Sequence, residues 1–146
     1  MRALLFILAA AAHAQTDTAR VLSVSPPMDQ EIHDHQDVQF TVKVHYSLAS
    51  IDRAILQVFA QRYVSGPDGC EHILPHSTEG GTDALIKRGE GEVTVHFPWR
   101  ESNRRVPPGA AFLGIGINLW TERNGRSVKR IASFDTSFCR PVTPQN

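Results

Sequence analysis

Three sets of residues in this chain have types and spacings that could do chemistry. His33-Asp34-His35, with Asp37 two positions further on, puts imidazoles and carboxylates into one short stretch, and His72 and His76 sit four apart near Cys70. Imidazole and carboxylate suit copper or zinc, so a periplasmic copper or zinc carrier using His33, His35 and Asp37, with Asp34 in reach, is the alternative functional reading. A few residues of one loop do not complete a coordination shell, and there is no Met-rich tract. Solvated loop histidines are therefore the expected state, with no metal and no cofactor.

The second set is aromatic and amide. If Ala54, Leu56, Val58 and Ala60 point inward on a strand, the outward residues are Ile55, Gln57, Phe59, Gln61 and Tyr63. On a neighbouring strand they meet Phe112, Gly114, Gly116, Asn118 and Trp120. Phe59, Tyr63, Phe112 and Trp120 would supply stacking and apolar area around a shallow glycine groove, and Gln57, Gln61 and Asn118 would supply hydrogen bonds. Such a patch marks a protein or glycan partner, or self-association. The competing expectation is that Ser65 to Thr82, the one long irregular connection, covers this face as core.

Catalytic signatures form the third set, and they are mostly missing. There is no HExxH, Gly-x-Ser-x-Gly or Walker loop, and Gly114-Ile115-Gly116 lacks its third glycine because position 119 is Leu. A non-enzymatic protein is expected, with a hydrolase centred on Ser65 to Thr82 as a lesser reading. Arg100, Arg104 and Arg105 form one basic loop, and Arg123, Arg126 and Arg130 another around Asn124-Gly125. They are expected at opposite ends of the domain, so no nucleic-acid track and no nucleic-acid partner is expected.

Composition frames these groups. Of 146 residues, 41% are hydrophobic and 21% charged, with 10 Gly and 9 Pro, which fits one globular domain and excludes disordered and fibrous classes. Arg2, the apolar run from Ala3 to Ala12 and the small residues of Ala12-His13-Ala14 read as a secretory signal over residues 1–14. Residues 15–146 are then the mature domain, secreted or periplasmic and bacterial, with no integral membrane segment. Loss of Arg2 takes the balance of 15 basic and 15 acidic residues to a net charge of −1. In an exported domain, Cys70 and Cys139 are expected to pair, closing a loop of about 70 residues worth on the order of 4 kcal/mol if unstrained.

The elements that must position these groups are strands. Val38, Phe40, Val42, Val44 and Tyr46 alternate with polar residues, and Glu92 to Phe97 and Ala111 to Trp120 repeat the pattern. Asn124-Gly125 predicts a tight hairpin from Trp120 back through Ser127 to Phe134. Arg20 to Ser25 makes a first strand stopped by Pro26-Pro27, and Ala54 to Tyr63 a third. Asp83 to Lys87 is expected to form a hairpin with Glu92 to Phe97 across Arg88-Gly89-Glu90-Gly91.

Seven short strands point to an all-β, antiparallel sandwich. With Val106-Pro107-Pro108-Gly109-Ala110-Ala111-Phe112 leading into the sixth strand, residues 20–140 resemble the immunoglobulin-like and fibronectin type III-like domains of exported bacterial proteins. The resemblance implies architecture, not activity. In such a sandwich the third, sixth and seventh strands lie side by side, which brings the ends carrying Cys70 and Cys139 to one edge of a sheet.

Overall fold

The computed structural model describes residues 16–27, 30, 32–33, 37–66, 69–99, 112–134 and 139–143, with side chains for all of these except 32–33, 64–66, 69–79, 112 and 139–143. The described residues form an all-β fold: β1 (Thr18–Ser25), β2 (Ile32–His33), β3 (Val38–Gly66), β4 (Gly69–Trp99), β5 (Phe112–Arg123), β6 (Arg126–Phe134) and β7 (Cys139–Thr143). Neighbours pair in the order β1-β3-β5-β7-β2, while β4 pairs with β3 and β6 with β5. All pairings are antiparallel except the two-residue parallel bridge of β2 with β7.

Alternation explains why the first half of β3 is a strand. Phe40, Val42 and Val44 are buried while Gln39 is exposed and Thr41 and Lys43 are half-exposed. Val42 faces Val95 across the ladder and Phe40 faces Phe97, the two rings lying 5.6 Å apart and tilted by 37°. Such directly opposed apolar pairs are the unit of sheet stabilisation, about 0.2–1 kcal/mol each beyond alanine. In the second half Ala54, Leu56, Val58 and Ala60 are fully buried, and they join the same core cluster as Val42, Phe97, Ile115 and Ile117.

Between these halves β3 changes partners. Residues 41–47 pair with β1 and residues 54–63 with β5, while β4 follows along the other edge. The register breaks between Leu48 and Arg53, and side chains take over from the ladder there. The Asp17 carboxylate accepts hydrogen bonds from the Ala49 and Ser50 N–H groups at 2.7 and 2.9 Å and from the Ser50 hydroxyl. Arg88 donates to the Ala49 carbonyl at 2.6 Å and to Asp52 at 2.9 Å. Burial pushes the Asp17 carboxyl up, but those hydrogen bonds and the Arg88 charge outweigh it and hold it below the usual carboxylate range.

Three expectations are corrected here. The predicted second and third strands are one continuous strand, because the Asp17 clamp satisfies the corner without a loop. Asp83 to Lys87 and Glu92 to Phe97 do not form a hairpin with each other; both lie on β4 and pair with β3. Gly89 at φ +110° turns that corner with open space where a side chain would stand. Residues 69–82 are strand too, paired back to β3 up to Gly66↔Gly69. The Asn-Gly hairpin stands as expected: Asn124 and Gly125 carry φ of 54° and 75°, and Arg123 pairs with Arg126.

Candidate functional site

Cross-strand partners share a sheet face, so the register of β4, β3, β5 and β6 lays out the surface opposite the core as rows. Leu85, Ile55, Trp120 and Arg130 form one row; Asp83, Gln57, Asn118 and Ser133 form the next; Gly81, Phe59 and Gly116 the third. Gln61 and Gly114 follow, then Tyr63 and Phe112. The predicted neighbours therefore do meet on one face.

Their exposure divides the face in two. Phe59 and Tyr63 are only 8% and 6% exposed, and Gln61 is buried with its amide donating to the Tyr63 hydroxyl at 2.6 Å. Gly114 and Gly116 are buried as well. This corrects the expectation of an open aromatic surface around a glycine groove. A Cβ at Gly116 would come within 2.6 Å of the Phe59 ring, and one at Gly81 within 2.8 Å of Phe59 Cβ. The ring lies across the Gly116 position and fills the groove there. Covering glycines with a cross-strand aromatic is a general way to close gaps in a sheet.

The other part stays accessible. Trp120, Gln57 and Asn118 are half-buried, while Asp83, Leu85, Arg130 and Ser133 are exposed. A hydrogen-bonded chain orders the polar groups: Ser133 Oγ donates to Asn118 Oδ1 at 2.6 Å, Asn118 Nδ2 to Gln57 Oε1 at 3.1 Å, and Trp120 Nε1 to the same Gln57 oxygen at 3.2 Å. The indole is thus pinned at its one polar atom. Arg53 pairs with Glu122 at 3.1 Å above this row, with the Glu122 side chain 6% exposed. Leu85, 54% exposed, continues the apolar row to the sheet edge.

Comparison with protein-family models, curated proteins and solved structures finds no match for this chain. Site geometry alone therefore carries the functional argument.

The remaining candidate residues lie elsewhere. His35 and Asp34 fall outside the described residues, His33 is described as backbone in β2, and Asp37 is exposed just before β3. Among the described residues no group of three or more His, Cys, Asp or Glu side chains could hold a metal ion. His72 and His76 are described as backbone only, as are Cys70 and Cys139. Cys70 stands opposite Ser65, and Cys139 opposite Gly114, so the two cysteines occupy the strands that flank the β3–β5 pair. Arg100, Arg104 and Arg105 fall outside the described residues. No helix among the described residues is long and apolar enough to cross a membrane.

The solvent face of the other half of the fold differs in kind. Thr41 Oγ1 and His96 Nδ1 are hydrogen-bonded at 2.9 Å, and Lys43 pairs with Glu92 at 2.6 Å. The Lys43 hydrogen bond and charge, with the charge of His45, hold the Glu92 carboxyl below its usual range. These exposed cross-strand pairs are polar and answer one another. Sequence reasoning also missed Arg62, which is 2% exposed with its guanidinium carbon 5.3 Å from the Trp99 ring centroid. The available signal was its parity: position 62 continues the inward series 54, 56, 58, 60.

Proposed function

We propose that the chain is an exported, non-enzymatic binding or envelope-structural module that meets a protein or glycan through the accessible part of the β3–β5–β6 face. One observation carries this reading: Trp120 is held half-exposed by its hydrogen bond to Gln57, between exposed Leu85 and the Asn118–Ser133 pair. A side chain with a large apolar area and a fixed polar atom loses little entropy on binding, which is why Trp is enriched at recognition surfaces. Phe59, Tyr63 and Gln61 lie beneath and support the strands. Phe112 belongs to this reading by its register opposite Tyr63.

The sandwich belongs to the same proposal. Inner residues from both halves of β3 share one core cluster, as two packed layers would require. Residues 80–87 pair with the second half of β3, which favours the fibronectin type III-like order, with the fourth strand beside the third. A Cys70–Cys139 bond would tie β4 to β7 across the β3–β5 pair, and an intact mass measured with and without reductant tests it.

The functional test is capture of partners from a bacterial envelope fraction by wild-type protein and by Trp120→Ala, with folding of both verified by circular dichroism. A partner retained by wild type and lost by the variant is the expected result. Identical partners for both proteins would overturn the reading.

A further inference from the structure

The β5–β6 hairpin concentrates charge in a chain whose formal net charge is zero. Arg123, Arg126, Lys129 and Arg130 lie within eight residues, are all exposed, and make no ion pair among the described residues. The segment 123–134 contains no carboxylate. Glu122, just before it, is already engaged by Arg53 and by the Gly125 N–H. Lys87, in register with Arg53 on β4, adds a further exposed cation.

Register connects this charge to the indole. Arg130 is the cross-strand partner of Trp120, and the pairing shifts on both sides of it, between Leu119 and Trp120 and again between Trp120 and Glu122. Extra residues on β6 at these bulges put Arg130 and Ile131, both exposed, beside Trp120. By the same register Arg123 and Arg126 lie on the opposite face of the hairpin, whereas Lys87, one row beyond Leu85, shares the face of Trp120, so Arg130 and Lys87 flank the indole within the span of one short oligomer. On the other side Gln57 Nε2 makes no hydrogen bond among the described residues, and Asp83, in register with Gln57, is exposed.

We propose, on the reading of this face as a binding site, that its ligand is an anionic oligosaccharide. A sugar ring stacks on Trp120, its hydroxyls donate to Asp83 and accept from the Gln57 amide, and its carboxylates are held by Arg130 and Lys87 as charge-assisted pairs. The carboxylate of Asp83 discriminates against the alternatives. It calls for a hydroxyl donor, which each sugar ring of the oligomer offers beside its carboxylate and a DNA backbone or lipid phosphate does not.

Calorimetric titration with an oligogalacturonate and with its carboxyl-reduced, neutral counterpart tests the inference on the wild type, Trp120→Ala and Lys87→Glu/Arg130→Glu. The expected result is binding of the uronate that weakens by about tenfold between low and high salt, with about tenfold or greater loss in each variant and far weaker binding of the neutral sugar. Equal binding of both sugars, lost in Trp120→Ala, would leave the binding face standing and overturn the anionic class. Binding lost only in the charge-reversed variant, or matched by single-stranded DNA, would show a polyanion held by charge alone and overturn the proposal. Absence of binding to either sugar, while Trp120→Ala still loses an envelope protein partner, would overturn it in favour of a protein ligand at the same face.

Discussion

The Arg62 guanidinium lies 5.3 Å from the centroid of the Trp99 ring, and both side chains are buried on the inner side of the fold. Trp99 is the register partner of Val38 at the end of β4, so this contact joins the C-terminal part of β3 to the end of β4 that pairs with the start of β3. A desolvated guanidinium over an indole is worth about 2 kcal/mol or more. Arg62→Ala is expected to destabilise the protein by about 2–4 kcal/mol. Arg62→Lys, which keeps charge but not a planar stacking group, is expected to recover only part of that loss. Denaturant unfolding measures both; a lysine variant as stable as wild type would show that charge alone suffices.

Gly116→Ala puts a methyl group 2.6 Å from the Phe59 ring carbons. Overpacking of this kind costs about 1–3 kcal/mol. Because the obstacle is the ring, Phe59→Leu in the Gly116→Ala background is expected to cost less than the sum of the two single changes. Thermal unfolding of the four proteins gives that coupling directly, and strict additivity would contradict the packing described.

Phe59 and Trp120 occupy one face and are expected to behave oppositely. Phe59→Ala removes a buried ring and should cost about 3–5 kcal/mol. Trp120→Ala removes a half-exposed one and should cost no more than about 2 kcal/mol. Comparable losses in chemical denaturation would mean that Trp120 is core, and the site would lose its anchor.

Acid should loosen the corner between the halves of β3. Asp17 has a folded pKa below its ordinary value, so its ionised form stabilises the fold above the ordinary carboxylate pKa of about 3.9, and that contribution is lost as pH falls through the lowered value. Asp17→Asn is expected to cost about 1 kcal/mol at neutral pH, a modest figure because solvent screens the site, and to differ less from wild type in strong acid. Melting temperatures measured across that pH range check the sign; a gap that widens on acidification would refute it.

How much of this was legible in the residues follows from the range of the forces involved. Alternation over Val38–Tyr46 and Ala54–Ala60 set strand identity and the inward faces, because a two-residue period leaves each side chain one choice of side. Asn124-Gly125 located its hairpin, because few other residue pairs tolerate two positive φ angles. Gln57, Asn118 and Trp120 were likewise placed together by period and strand order alone.

Only the tertiary structure decided the rest. A corner held by Asp17 and Arg88, some 30 and more positions from the residues they bond, has no local signature, so two strands read as separate where the chain runs on as one. The same holds for Phe59 and Tyr63: an outward position on a strand says which side of the sheet a residue takes, and burial there depends on what the remainder of the chain lays over it. Period is a property of neighbours in sequence, whereas exposure belongs to neighbours in space. That difference leaves Trp120 half-exposed where Phe59 and Tyr63 are buried.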